Sequence, residues 1–343
     1  MVNEFPEMLG RLVNGISLDS AEAYSLMQAV MSGGLAPSQI AAVAVALRMK
    51  GETEDEITGF VRAMRAGAIP MPGAPSGAVD TCGTGGDHLD TFNVSTAAAL
   101  VAAAAGVRVA KHGNRAASSR SGSADVLEAL GVNIELSPEE ECASLARTGI
   151  AFLFARMHHP ALKHAAPVRK EIGIRTVFNL VGPMTNPAGA RTQLMGVFPG
   201  VETARVAAAL RTLGAERAMV VRGLDGMDEI TITAPTEVSE LRAGSVTTYH
   251  ITPEDLGFRP CRLDQLKGGM PRENAAIIRR VLAGEQGPHR DIVLINAGAV
   301  IYLAGLAPAH GAGIDSARTA IDSGAAAAKL DELVRVTTHV HDS

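Results

Sequence analysis

Residues 83–87 read Gly83-Thr84-Gly85-Gly86-Asp87, and the polar run Thr91-Phe92-Asn93-Val94-Ser95-Thr96 follows shortly after them. A second polar loop, at residues 111–123, reads Lys111-His112-Gly113-Asn114-Arg115-Ala116-Ala117-Ser118-Ser119-Arg120-Ser121-Gly122-Ser123. Each loop comes after a short apolar segment typical of a strand and before a segment typical of a helix. This repeated order of strand, loop and helix predicts an α/β domain with a mainly parallel sheet.

Both loops have the composition of an anion-binding site. Glycines allow the backbone to approach a ligand closely, and the amides at a helix N-terminus favour negative charge. In the second loop, Lys111, Arg115 and Arg120 add charged donors to a group of serine hydroxyls, a mixture that suits phosphate oxygens. Two such loops in succession predict a substrate with more than one phosphate group. The alternatives are a tight turn for the first loop and a solvated surface loop for the second.

The remainder of the chain indicates a second, smaller domain. Apolar residues at helical spacing predict an all-helical domain over residues 1–70. A Pro/Gly-rich linker at residues 68–77 separates it from the α/β domain, which we place at residues 76–343. Segment 156–192 interrupts the alternation of strands and helices, so we expect part of it to join the helical domain.

An acidic loop follows a later predicted strand. It reads Gly223-Leu224-Asp225-Gly226-Met227-Asp228-Glu229 and contains three carboxylates. Mg²⁺ is commonly held by one or two carboxylates together with substrate phosphates. The loop is therefore a candidate metal site beside the two phosphate loops, and an ordinary acidic turn is the alternative.

A basic segment lies between residues 158 and 175 and includes His158, His159, Arg169 and Arg175. The histidine spacing fits no common zinc pattern. An arginine in this segment could bind a carboxylate with two parallel hydrogen bonds. The alternative is a charged helix surface.

Bulk properties exclude several classes of protein. The chain has 343 residues, 47% of them hydrophobic, and a net charge of −5, which argues against general affinity for nucleic acid. Three widely spaced cysteines fit a reducing compartment. The N-terminus lacks the pattern of a signal peptide and the apolar runs are too short to span a bilayer. We therefore expect a cytoplasmic protein that binds neither nucleic acid nor membrane.

These motifs, taken in order, resemble the anthranilate phosphoribosyltransferase family, whose members join anthranilate to phosphoribosyl pyrophosphate in tryptophan biosynthesis. The resemblance covers nearly the whole chain. It is carried by the two phosphate loops, the acidic loop and three further segments: Leu47-Arg48-Met49-Lys50-Gly51-Glu52-Thr53, Val168-Arg169-Lys170-Glu171 and Asn179-Leu180-Val181-Gly182-Pro183-Met184-Thr185-Asn186-Pro187. It implies the nucleoside phosphorylase/phosphoribosyltransferase-like fold, with a small helical domain, a larger α/β domain and a homodimer formed through the helical part.

The resemblance also implies which residues bind the substrates. The residues expected to line the phosphoribosyl pyrophosphate site are Gly83, Gly86, Asp87, Thr91, Asn93, Ser95, Thr96, Lys111, Ser119 and Ser123. The expected Mg²⁺ ligands, direct or through water, are Ser95, Asp228 and Glu229. The residues expected along the anthranilate path are Asn114, His159, Arg169 and Pro183, with Arg169 as the partner of the carboxylate.

The expected reaction is displacement of pyrophosphate from the anomeric carbon by the anthranilate amine. It requires no covalent nucleophile, and we assign no catalytic residue or general base. Two alternatives stay open: a pyrimidine nucleoside phosphorylase and a nucleic-acid-binding relative without transferase activity. The chain departs from the family pattern at His88-Leu89-Asp90, where a glycine usually follows the aspartate, and at Arg120, which replaces a common lysine.

Overall fold

The structure is a computed structural model and describes residues 5–73, 77–116 and 120–338. The chain begins with the helices α1 (Phe5–Val13), α2 (Ser20–Met31), α3 (Pro37–Lys50) and α4 (Glu54–Ala66). Helix α2 begins at a capping box in which the Asp19 side chain accepts from the Glu22 amide. Helices α2 and α4 pack closely, because a Cβ on Gly59 would lie 2.3 Å from the Ser20 carbonyl oxygen.

One sheet forms the centre of the rest of the chain. Its strands are β1 (Val79–Asp80), β2 (Val109–Gly113), β3 (Ile150–Phe154), β4 (Thr192–Gly196), β5 (Arg217–Gly223), β6 (Thr236–Arg242) and β7 (Ser245–Ile251). Their order is β3-β2-β1-β4-β5-β6-β7, and the first five strands are parallel to one another. Strands β6 and β7 form an antiparallel hairpin at one edge, which the sequence analysis does not predict.

Helices cover both faces of this sheet. Between the strands and after them lie α5 (Val94–Ala104), α6 (Ser123–Leu130), α7 (Pro138–Thr148), α8 (Ala155–His158), α9 (Ala166–Ile172), α10 (Val177–Val181), α11 (Thr203–Thr212), α12 (Pro271–Leu282), α13 (Pro288–Leu303), α14 (His310–Asp322) and α15 (Ala325–Thr338). Helices α5 and α13 are almost wholly buried. This burial explains why most residues of α5, and of α13 after its first turn, are apolar. None of the helices in the described parts of the chain is long and apolar enough to cross a membrane.

Alternate residues of the central strands face two hydrophobic cores. Leu194 and Met219 point into a core with helices α5 and α12–α15, whereas Met195 and Val220 point into a core on the opposite face. The second core includes helices α1–α4 and also apolar residues from α9, α10 and α11. The segment that interrupts the predicted alternation therefore packs against the N-terminal helices. The domain boundaries themselves stay predictions.

The carboxyl ends of the five parallel strands lie at one edge of the sheet. The glycine loop follows β1, the second phosphate loop follows β2, and the acidic loop follows β5. Ligands of α/β proteins bind at this edge, where loops from neighbouring strands converge. The topology thus brings together segments that lie far apart in the sequence.

Candidate active site

A cavity of about 300 Å³ lies at the carboxyl ends of the strands. Most of the residues predicted for the substrate and metal sites line it. They are Gly83, Gly86, Asp87, Thr91, Asn93, Ser95, Thr96, Lys111, Asn114, Ser123, His159, Arg169, Pro183, Asp228 and Glu229. Ser119 lies outside the described residues. The roles of these side chains stay predictions, but their convergence on one cavity follows from the fold.

The glycine loop lies against the end of β4 and the acidic loop. The Thr84 amide donates to the Gly196 carbonyl oxygen at 2.9 Å, and the Gly85 amide donates to Asp228 Oδ2 at 2.6 Å. Gly85 and Gly86 have φ angles of 65° and 71°, a left-handed conformation that favours glycine. A Cβ on Gly196 would lie 1.5 Å from the Asp228 carbonyl oxygen. Glycine is therefore required at residue 196 for the two backbones to meet.

Lys111 carries a buried positive charge at the floor of the cavity. Its side chain is only 3% exposed, and Nζ donates to the Thr81 carbonyl oxygen and hydroxyl at 3.0 and 3.1 Å. Ser95 Oγ lies 3.4 Å away. Within the described residues no carboxylate forms an ion pair with this ammonium group. A buried cation held only by neutral oxygens is well suited to bind an anion.

The three carboxylates of the acidic loop differ in what they contact. Asp225 is occupied within the loop, since it accepts hydrogen bonds from the Thr231 and Thr233 hydroxyls. Asp228 and Glu229 line the cavity instead, where Glu229 Oε1 accepts from the Ser95 amide at 3.1 Å. Buried Asn296 bonds both the amide and the carbonyl oxygen of Ile230, which fixes the end of the loop.

The chemistry of these groups fits a bound cation. Burial, and after it the charge of Asp87, raises the pKa of Asp228, and burial together with the charge of Asp228 raises the pKa of Glu229. A divalent cation between such carboxylates would relieve both effects. No group of three or more His, Cys, Asp and Glu side chains in residues 5–73, 77–116 and 120–338 is arranged to hold a metal. Further ligands would therefore come from phosphate or water, as is usual for Mg²⁺.

The second phosphate loop uses its charged residues differently from the prediction. The Arg115 guanidinium pairs with Asp125 at 3.1 Å and with Glu128 at 2.8 Å, both on α6. Arg120 is 62% exposed and lies 3.6 Å from Asp90. Of the three cations in the loop, Lys111 is therefore the one without a carboxylate partner among the residues that the structure describes. The charge available for phosphate therefore comes from Lys111, at the start of the loop and within β2.

Two neutral histidines and one arginine also line the cavity. The rings of His112 and His159 lie 5.2 Å apart, and both side chains are buried. Burial lowers the pKa of His112 well below its usual value and lowers the pKa of His159 to about 4. The side chain of the half-buried Arg169 forms no hydrogen bond or ion pair with any other described residue. These groups are suited to bind a planar aromatic carboxylate.

His112 is a candidate site residue that the sequence analysis missed. Neither ring nitrogen has a hydrogen-bond partner in the described part of the chain, although the side chain is only 4% exposed. Its place between Lys111 and Asn114, two residues already assigned to the site, was the available signal. A buried imidazole with free nitrogens at a cavity wall is a candidate partner for a polar substrate group.

The depressed pKa of His159 predicts acid sensitivity. In the unfolded chain its pKa is about 6.5, so below that value the unfolded state takes up a proton before the folded state does. Stability from neutral His159 is fully present above pH 6.5 and is lost as the pH falls towards 4. We expect His159→Gln to flatten the fall in melting temperature over this range, measured by calorimetry. Exposed His250→Gln is the control, and equal slopes in all three proteins would contradict the prediction.

The departure from the family pattern after Asp87 places two non-glycine residues in the left-handed region. His88 and Asp90 have φ angles of 58° and 53°. The turn is held because Asp87 Oδ1 accepts from the Leu89 amide at 3.1 Å and the Asp90 carbonyl oxygen accepts from the Gly268 amide at 2.8 Å. Such conformations cost non-glycine residues roughly 1–2 kcal/mol each, though aspartate tolerates them better than most.

We expect His88→Gly to raise the free energy of unfolding by about 1 kcal/mol, because glycine adopts this backbone without steric cost. Chemical denaturation of both proteins measures the change. Leu89→Gly is the matched control, since Leu89 has no left-handed backbone and packs against the core. That variant should be less stable than the original chain. A loss of stability in both glycine variants would show that the His88 backbone is not strained.

Comparison with known proteins identifies the family. The helical bundle domain of the glycosyl transferase family matches residues 6–68, and the a/b domain of that family matches residues 76–327. The anthranilate phosphoribosyltransferase of Rubrobacter xylanophilus is 54% identical over 332 residues, which cover 96% of this chain and 97% of that relative.

Two solved structures share the fold. The crystal structure of anthranilate phosphoribosyltransferase from Thermus thermophilus has a TM-score of 0.91 and 47% identity, and the match covers 96% of this chain and 99% of that one. The Saccharomyces cerevisiae enzyme, in complex with PRPP and Mg, has a TM-score of 0.88 and 25% identity. The match covers 98% of this chain and 99% of that one.

These matches confirm the predicted fold class, a small helical domain with a larger α/β domain and a mainly parallel sheet. They do not favour the two alternatives, since the relatives named above are anthranilate phosphoribosyltransferases. The identity and coverage extend over nearly the whole chain. This chain therefore belongs to the anthranilate phosphoribosyltransferase family.

Proposed function

We propose that this chain transfers the 5-phosphoribosyl group of phosphoribosyl pyrophosphate to the amine of anthranilate, giving N-(5-phosphoribosyl)anthranilate and pyrophosphate. The observation that carries the proposal is one cavity lined by two chemically different groups of side chains. We assign the glycine loop, Lys111 and two carboxylates to a polar end of this cavity, and the neutral histidines and Arg169 to its other end. A diphosphorylated sugar and an aromatic acid have the matching chemistry. The two ends meet within one cavity, so both substrates can be held in contact.

The polar end is suited to the leaving group. The Lys111 ammonium, together with the glycine-loop amides that are not bonded to Gly196 or Asp228, would bind the phosphate oxygens. Ser95, Asp228 and Glu229 would hold Mg²⁺, as the complex of the yeast relative with PRPP and Mg supports. The ion would neutralise charge on pyrophosphate as the bond to the anomeric carbon breaks.

The other end is suited to the nucleophile. Arg169 would bind the anthranilate carboxylate, and the rings of His112 and His159 would contact its aromatic face and edge. Asn114 and Pro183 complete this part of the lining. The bond between the amine nitrogen and the anomeric carbon forms as the bond to the pyrophosphate oxygen breaks, and the nitrogen then loses a proton. We assign no general base to that last step.

One assay tests the proposal. Anthranilate is fluorescent, so its consumption is followed with phosphoribosyl pyrophosphate in the presence and absence of Mg²⁺, and the product is identified by mass. Parallel reactions contain thymidine with phosphate, and a binding experiment contains single-stranded DNA. Formation of phosphoribosylanthranilate that depends on Mg²⁺ supports the proposal. Phosphorolysis of thymidine, or salt-sensitive binding of DNA without turnover, would replace it with one of the two alternatives.

We also propose a homodimer formed through the helical domain at residues 1–70, with the α/β domain at 76–343 and a cytoplasmic location. Support for the dimer comes from exposed apolar side chains in the helical part: Val13 is 69%, Ile16 53% and Met49 83% exposed. Free cysteines support a reducing compartment. Light scattering of the chain and of a Met49→Glu variant tests the dimer, which predicts a lower mass for the variant.

A further inference from the structure

We infer that Asn274, a residue outside the cavity lining, is a positioning residue for the polar end of the site, where the diphosphate would bind (the diphosphate end). The inference rests on the proposed function. Asn274 lies in the first turns of α12 and is only 2% exposed. It is 181 positions from Asn93 in the sequence, yet its Nδ2 donates to Asn93 Oδ1 at 2.9 Å.

Asn93 connects the two phosphate loops through its side chain. Its Nδ2 donates to the Ser121 carbonyl oxygen at 3.0 Å, and its Oδ1 accepts from the Ser121 hydroxyl at 3.1 Å. The first loop thus reaches the second by a pair of hydrogen bonds. One N–H of the Asn93 amide is thus bonded to Ser121, and the contact of Asn93 with the substrate stays a prediction.

Asn274 determines the orientation of the Asn93 amide. Two donors, Asn274 Nδ2 and Ser121 Oγ, converge on Asn93 Oδ1. If the Asn93 amide rotated by 180°, its Nδ2 would face Asn274 Nδ2, a second donor. Its Oδ1 would then face the Ser121 carbonyl oxygen, a second acceptor. The bond from Asn274 therefore favours the one arrangement in which Asn93 holds both loops together.

Asn274 is itself fixed by the segment before α12. Its Oδ1 accepts from the Gly269 amide at 2.7 Å. A Cβ on Gly268 would lie 2.4 Å from this oxygen and 2.7 Å from the Phe92 Cα, so only glycine permits the contact. The same segment pairs with the chain next to the glycine loop, since the Gly268 amide donates to the Asp90 carbonyl oxygen. The buried Asn274 amide thus connects α12 to Asn93 and to the segment at Gly268 and Gly269.

The test compares Asn274→Asp with Ile278→Val. Aspartate has the same size and still accepts from the Gly269 amide, but it presents an oxygen to Asn93 Oδ1. Ile278 is fully buried on the same helix and belongs to the apolar core rather than to the network, so its valine variant reports loss of packing alone. Steady-state kinetics give KM for each substrate, and calorimetry gives the shift in melting temperature caused by phosphoribosyl pyrophosphate with Mg²⁺.

We expect Asn274→Asp to raise KM for phosphoribosyl pyrophosphate by about tenfold, the scale of one misplaced hydrogen bond, and to reduce the substrate-induced shift in melting temperature. KM for anthranilate should change by less than about twofold, and Ile278→Val should leave both KM values unchanged. Lower thermal stability of Asn274→Asp with both KM values preserved would overturn the inference. Asn274 would then stabilise the fold without positioning the substrate site.

A second variant keeps the test decisive if Asn274→Asp does not fold. Ser121→Ala removes the other donor to Asn93 Oδ1 and leaves α12 untouched. We expect the same selective rise in KM for phosphoribosyl pyrophosphate, and an unchanged value would contradict the inference. Failure of the unsubstituted chain to consume anthranilate would instead refute the proposed function, so the two failures are distinguishable.

Discussion

The double variant Asp228→Asn with Glu229→Gln is expected to turn over at least about 10²-fold more slowly than the unsubstituted chain, the scale seen when a strong electrostatic contact at a reacting centre is lost. Both side chains line the cavity. Burial and then the charge of Asp87 raise the pKa of Asp228, and burial and then the charge of Asp228 raise the pKa of Glu229. The amides keep the size of the side chains but remove the charge that would hold Mg²⁺. Added Mg²⁺ should restore part of the activity, since weaker binding is overcome by concentration.

Asp225→Asn is the matched control for that experiment. It removes a carboxylate from the same loop, but one whose oxygens accept from Thr231 and Thr233 rather than facing the cavity. We expect a loss of stability without a change in Mg²⁺ dependence. Calorimetric titration of Mg²⁺ with pyrophosphate gives a readout that is independent of turnover. Full activity of the double variant at low Mg²⁺ would refute the role assigned to Asp228 and Glu229.

Arg169→Gln is expected to lower kcat/KM for anthranilate by about 10²-fold, because truncating one partner of a buried, hydrogen-bonded charge pair costs roughly 2–5 kcal/mol. The guanidinium lines the cavity and forms no ion pair with the described residues. Its charge is thus available to a substrate carboxylate. KM for phosphoribosyl pyrophosphate should stay the same, since the two substrates occupy different ends of the cavity.

Aniline sharpens this second experiment because it has the amine of anthranilate without the carboxylate. The unsubstituted chain and Arg169→Gln should use aniline equally poorly. Lys170→Gln is the control, since Lys170 is the next residue on the same helix and is exposed. An Arg169→Gln variant that keeps its preference for anthranilate over aniline would show that another group binds the carboxylate.

Local patterns in the sequence predicted the parts of the site that follow single strands. The glycine loop, the second phosphate loop and the acidic loop each come directly after a strand, so a parallel sheet was enough to place them together. The capping box at Asp19 and Glu22 is likewise a local pattern, because the motif spans only four residues.

Contacts between distant segments could not be predicted in this way. Nothing near Asn274 in the sequence indicates a bond to Asn93. Nor does the sequence around Arg115 show that its guanidinium forms ion pairs with Asp125 and Glu128 on α6. The β6–β7 hairpin was missed because β7 is largely exposed and carries no apolar run.

The meeting of the Gly196 backbone with the Asp228 carbonyl oxygen has a practical bearing on redesign. The opposing atom belongs to the main chain, so no rotamer change can make room for even a methyl group there. Any side chain at residue 196 would displace the acidic loop. We therefore expect variants at this residue to be inactive. Engineers who want this scaffold to accept other amines should hold that junction constant and randomise the wall around His112 and His159 instead.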